Sequence, residues 1–187
     1  MMEAASKATL NFNDIYRMMV KKMPGKTVNR KDPRDLEGAE RIRIIPYRGA
    51  KSVVFRCKVM SSTRRKKYNV VIQFLDVEFA PADTKQVPVG SNWTFVEYEG
   101  ATYYFKKPSF FKNPVRIRCS CPDFKQRFAW PDRAAKCLAG GPPAQYRRKT
   151  PPPPKGRPYV NPDNVPGMCY HIYRVAKDLE KWTTLMR

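Results

Sequence analysis

The chain has 187 residues, 42% of them apolar and 12% aromatic, enough for a packed core and too many for a wholly disordered segment. Its charge is one-sided: 37 Lys and Arg stand against 16 Asp and Glu, a net +21 whose self-repulsion a negatively charged partner would offset. No apolar run approaches the roughly 18–20 residues that cross a bilayer. The opening MMEAASKATLNF has an early acid and no apolar stretch of the signal-peptide kind, which predicts an intracellular or particle-packaged protein rather than a secreted one.

Residues 12–23 (FNDIYRMMVKKM) place Phe12, Ile15, Met19 and Met23 at helical spacing, with Asn11 or Asn13 as cap and Pro24-Gly25 as stop. The polar stretch that follows reads as an arm. Residues 41–47, 51–60 and 68–79 are rich in β-branched and aromatic residues and predict strands. Between the last two, Arg64, Arg65, Lys66 and Lys67 form a basic hairpin tip. Residues 93–98 and 101–105, separated only by Glu99-Gly100, predict a tight hairpin in which Gly100 supplies a positive φ. Residues 115–118 alternate and run into Cys119. The span 140–167 holds nine of the 18 prolines, which predicts an extended, polyproline-like insertion rather than a helix. Residues 171–186 carry Ile172, Val175, Ala176, Leu179 and Trp182 on one helical stripe. The expected class is α+β: an N-terminal helix and arm (1–40), a β-rich body (41–114), and a metal-binding module (115–187) containing the insertion and a C-terminal helix.

Five cysteines, an odd number, do not make a fully paired disulfide framework. Cys119-Ser120-Cys121 and, after a 47-residue spacer, Cys169-Tyr170-His171 supply three thiolates and one imidazole, a set that suits tetrahedral zinc. Pro122 and Asp123 suit the first turn of a helix, so Cys119 and Cys121 are expected where a strand ends and a short helix begins. Residues two apart on one helix point about 200° from each other. Pro166-Gly167 therefore predicts that Cys169 precedes the C-terminal helix and His171 lies in its first turn. Cys57 alternates with Val53, Phe55 and Val59 and reads as a buried strand thiol. Cys137 reads as a packing residue after a short helix and as a possible extra ligand. An iron–sulfur cluster held by four cysteines including Cys137 is the chemical alternative to zinc.

The segments CSCPDF (119–124) and CYHIYRVAKDL (169–179) resemble the SWIM zinc finger family, whose signature is C-x-C followed by C-x-H in a β-β-α frame. The resemblance covers residues 115–185. The 47-residue spacer is longer than usual for the family and resembles long-spacer versions encoded by tailed bacteriophages. It implies a zinc-stapled finger, a role in DNA or RNA binding, and a place in a virion.

No paired carboxylates, phosphate-binding loop, dinucleotide fingerprint or Ser–His pair is present, and the single histidine is already used, so no enzymatic function is expected. Residues 101–160 hold 14 Lys and Arg but only Asp123 and Asp132 as acids, with aromatics interleaved. With the hairpin tip, Lys106, Lys107, Arg116, Arg118, Arg147, Arg148 and Lys149 are candidates for contacting nucleic acid or acidic protein neighbours. The resulting expectation is a basic, zinc-stabilised structural subunit of a large phage-type particle or nucleoprotein assembly. A nucleic-acid-binding finger is the alternative. Neither a small-molecule substrate nor a membrane span is expected.

Overall fold

The computed structural model describes residues 8–23, 39–61, 65–90, 92–143 and 161–185, with side chains to residue 180. Helix α1 (Phe12–Lys22) starts at Asn11, whose side chain accepts from the Asp14 N–H while Asp14 reaches back to the Asn11 N–H. This reciprocal cap satisfies two otherwise orphaned donors. The β-rich body follows as β1 (Glu40–Tyr47), β2 (Ser52–Met60), β3 (Lys67–Phe74), β4 (Trp93–Tyr98) and β5 (Ala101–Lys106), then β6 (Val115–Cys119). Two short helices, α2 (Pro122–Arg127) and α3 (Ala129–Ala134), precede the C-terminal α4 (Tyr170–Leu185).

Strands β1, β2, β3 and β6 form one antiparallel sheet in that order, and β4–β5 form a separate hairpin. The fourth strand of the main sheet therefore comes from the cysteine-bearing segment, after an excursion of about forty residues. Period-two alternation gives each strand one apolar face. Val53, Phe55, Cys57 and Val59 of β2, Val70, Ile72 and Phe74 of β3, and Val115, Ile117 and Cys119 of β6 all point into the core. Ile172, Val175, Ala176 and Leu179 of α4 cover them. Helix α1 joins the same core through Phe12, Ile15 and Met19, and Tyr16 stacks on Tyr173 of α4 at 5.4 Å.

Strand β3 ends at Phe74, five residues short of the predicted 79. Asp76 takes a positive φ of 55°, and the Asn113 amide donates to the Leu75 and Asp76 carbonyls at 2.9 and 3.2 Å. The chain turns away there, and residues 78–80 pair instead with β5, through the Lys106 N–H to the Glu78 carbonyl and the Ala80 N–H to the Tyr104 carbonyl. In the β4–β5 turn both Glu99 (φ 49°) and Gly100 (φ 77°) are left-handed, not Gly100 alone. Residues 137–139 lie along the free edge of β6: the Ile117 N–H donates to the Cys137 carbonyl and the Ala139 N–H to the Ile117 carbonyl. That contact shields one sheet edge from further pairing. No helix among the described residues is long and apolar enough to cross a membrane.

Candidate metal centre

Cys119 is the last residue of β6, paired with Val70 of β3, so its thiol is directed under the sheet. Cys121 is the N-cap of α2, with Pro122 opening the helix and Asp123 in its first turn. The intervening Ser120 is held by its N–H on the Asn69 carbonyl and by its hydroxyl, which accepts from the Asn69 N–H at 2.9 Å. Two residues on, the chain has turned far enough for both thiols to face inward. Cys169 immediately precedes α4 and His171 is its second residue. The two therefore avoid the divergence that would separate them within a regular helix.

The three sulfurs and one imidazole nitrogen lie within 4.8 Å of one another, and Cys169 Sγ is 3.8 Å from His171 Nδ1. A tetrahedral ion with bonds of about 2.0–2.3 Å holds its ligand atoms somewhat under 4 Å apart, so these four could hold one metal ion. All three cysteines are buried and His171 is half-buried, with the Tyr68 ring edge-on to the imidazole at 4.9 Å. Two backbone N–H groups point at sulfur: Cys121 to Cys119 Sγ at 3.4 Å and Phe124 to Cys121 Sγ at 3.3 Å. The Cys121 thiol is held well below its ordinary value because the Cys119 and Cys169 thiols donate to it, with further support from His171 and the Phe124 N–H. Cys169 is pushed up by burial, and Cys119 by its thiol contact with Cys121. These contacts favour the thiolate form at Cys121 over its neighbours.

The other two cysteines stand apart. Cys57 lies on the core face of β2, where burial raises its thiol to about 12. Cys137 follows α3 and is not in the ligand group: its backbone pairs with β6 and with the Asp132 carbonyl, and its thiol lies against the fully buried Asp132 side chain. Asp132 was visible in the sequence only as one of two acids in a basic stretch. The structure makes it the anchor of residue 167, whose N–H donates to Asp132 Oδ1 at 2.8 Å.

The predicted basic residues separate into several groups. Arg64, Arg147, Arg148 and Lys149 lie outside the described residues, as does most of the proline-rich insertion. Arg65 and Lys66 are exposed between β2 and β3, and Lys67 opens β3 with its ammonium 2.6 Å from Glu40. Lys106 pairs with Glu78 at 2.7 Å and sits over the Trp93 ring, and Lys107 follows at the end of β5. The Arg118 guanidinium donates to the Ala139 and Gly141 carbonyls, which fixes the loop beyond Cys137. Arg116 lines a small cleft with Arg133 and Lys136. Three cations that sequence reading passed over, Arg43, Arg56 and Lys58, share the outer face of the sheet with Arg116 and Arg118. Their only sequence signal is alternation with apolar neighbours in RIRII and FRCKV, which is also what any half-buried strand shows.

Comparison with protein-family models, with curated proteins and with solved structures finds no match to this chain.

Proposed function

We propose that this chain is a non-enzymatic, zinc-stapled binding protein of a phage-type particle or nucleoprotein assembly, in which its basic surface meets a polyanionic partner. The observation that carries this reading is the set Cys119, Cys121, Cys169 and His171, four protein ligands converging under one sheet. Four protein ligands close a tetrahedral shell and leave no position for a reacting water. Thiolates and imidazole match zinc, and the compactness of the group suits one ion better than the wider iron–sulfur core. The thiol of Cys137, engaged with Asp132, supports the same choice. The bound ion would tie the end of β6 and the start of α2 to the start of α4, holding that helix on the sheet. The resemblance of the two cysteine segments to SWIM fingers agrees with this arrangement.

The ligand group includes no carboxylate. The cleft over Asn69, Arg118, Ser120 and Lys125 contains no acid–base pair among the described residues. Both observations favour binding over catalysis. The net charge of +21 supports the polyanionic partner.

Elemental analysis of purified protein tests the metal assignment: about one zinc per chain is expected, abolished in Cys121→Ser and strongly reduced in His171→Ala. Metal-free protein of unchanged stability, or iron with visible charge-transfer absorption, overturns it.

A further inference from the structure

The outer face of the four-stranded sheet is built from residues whose register places like charges side by side. Arg43 of β1 lies directly opposite Arg56 of β2, which is opposite Val71 of β3, which is opposite Arg118 of β6. One pair away, Lys58 lies between Glu40 of β1 and Asn69 of β3, and on the other side Gln73 faces Arg116. Like charges directly opposite one another destabilise a sheet. No carboxylate among the described residues forms an ion pair with Arg43 or Arg56; Glu40 lies opposite Lys58 at the margin, with its carboxylate bonded to Lys67. The side chains of Arg43, Arg56 and Lys58 are exposed.

The cations fall into two banks with a neutral strip between them. One bank is Arg43, Arg56 and Lys58 on β1 and β2. The other is Arg116 of β6 with Arg133 and Lys136, which line one cleft beyond that strand. Between them, β3 presents Asn69, Val71 and Gln73. With strands about 4.8 Å apart, β1 and β6 are separated by about 14 Å, close to the roughly 12 Å width of a DNA major groove.

We infer that this outer sheet face is a docking surface for double-stranded DNA, with one phosphate backbone on each bank and the strip of β3 facing the groove. The assignment rests on the polyanion-binding reading above and names its partner and its site. Guanidinium groups match phosphate oxygens in fork geometry, and phosphates would relieve the Arg43–Arg56 repulsion. An acidic protein segment offers one track of charge, whereas two separated banks suit two backbones. A single strand held by base stacking needs aromatic rings along its path, and the strip between the banks has none. The Asn69 amide is exposed on that strip, and such amides can pair with base edges. Arg118 contributes charge, while its donors hold the neighbouring loop.

The test is binding of the full zinc-loaded chain to a random-sequence 24-base-pair DNA duplex, to one strand of it and to poly-glutamate, across a salt series. One variant removes the first bank (Arg43→Thr, Arg56→Thr, Lys58→Thr). A second removes the other (Arg116→Thr, Arg133→Ala, Lys136→Asn), and Arg17→Ser with Lys21→Ser and Lys22→Ser on α1, three exposed cations, controls for net charge. Each bank variant should keep its zinc, bind duplex at least tenfold more weakly at low salt, and show a log–log salt slope shallower by about 2–3, at about 0.9 per phosphate contact. The α1 control should change affinity by less than threefold. Duplex binding that survives both bank variants overturns the site while leaving the polyanion reading in place. Binding of poly-glutamate but not duplex identifies an acidic protein partner and overturns the assignment to DNA. Binding of none of the three probes overturns both readings.

Discussion

Gly167 and Asp132, 35 residues apart in the chain, are joined in the core by the Gly167 N–H donating to Asp132 Oδ1 at 2.8 Å. The bond delivers the chain to Met168 and Cys169 at a fixed place beneath the sheet. Asp132 Oδ2 has no hydrogen-bond partner among the described residues, and the side chain is fully buried. Burial raises this carboxyl well above its ordinary value of 3.8, although the Gly167 N–H and the Cys137 thiol both pull it down. The folded chain therefore retains a proton that the unfolded chain releases at lower pH. Its contribution to stability is full below the ordinary carboxylate range and is lost as pH rises through the raised folded value. Asp132→Asn preserves an acceptor for Gly167 and removes the titration. Its melting temperature, relative to that of the natural chain, should rise progressively between pH 4 and pH 8, as thermal scans across that range would show.

Gly167 also has no room for a side chain. A Cβ there would lie 2.5 Å from Phe128 Cε1 and 3.3 Å from Met19 Cγ. The Phe128 ring is fully buried. Gly167→Ala should destabilise by about 1–3 kcal/mol, read as a lower urea midpoint at an unchanged slope.

The β4–β5 turn carries strain that can be removed. Glu99 holds a left-handed backbone, which costs a non-glycine residue about 1 kcal/mol. Asn-Gly is the preferred pair for a two-residue hairpin with both residues left-handed. Glu99→Asn should raise stability by about 0.5–1 kcal/mol, and Gly100→Ala should lower it by a similar amount, both measurable by thermal denaturation.

Chelation should loosen one part of the molecule more than the rest. On the metal-binding reading proposed above, the four candidate ligands connect β6, α2 and α4, whereas the β1–β2–β3 meander contains none of them. Removing the metal should therefore strip hydrogen-exchange protection from α4 and α2 first and lower the melting temperature by at least 10 °C. Cys57→Ser, by contrast, should cost about 1–2 kcal/mol for a buried hydroxyl while leaving metal stoichiometry unchanged.

What the sequence reveals depends on how far apart the interacting residues lie. The capped α1, the Glu99-Gly100 turn and the placement of Cys121 before Pro122-Asp123 are all decided within a few neighbours, and each is legible. The grouping of Cys119, Cys121, Cys169 and His171 is legible because two short, chemically distinctive motifs carry it. The end of β3 is not, because the carbonyls of Leu75 and Asp76 are captured by Asn113, far along the chain. Nor is the role of Asp132, whose partner Gly167 lies on the other side of the insertion. The opposition of Arg43 and Arg56 depends on register, and the β-bulge between Glu40 and Arg43 shifts that register in a way composition does not record.

The position of β6 has a consequence for the order in which this protein can be completed. As the chain emerges from the ribosome, β1, β2 and β3 can pair through short connections. Their apolar face then waits for most of its cover. Strand β6 arrives some forty residues later, and α4, which covers the sheet, later still. Until then Phe55, Val59 and Ile72 form a hydrophobic surface that lacks the cover α4 later supplies. Cys119 and Cys121 appear long before Cys169 and His171, so a nascent chain holds half of the candidate ligand group while the rest is synthesised. Capture of the ion would be the event that draws α4 down and closes the core. Cellular yield should therefore follow zinc supply during synthesis more closely than zinc added after folding.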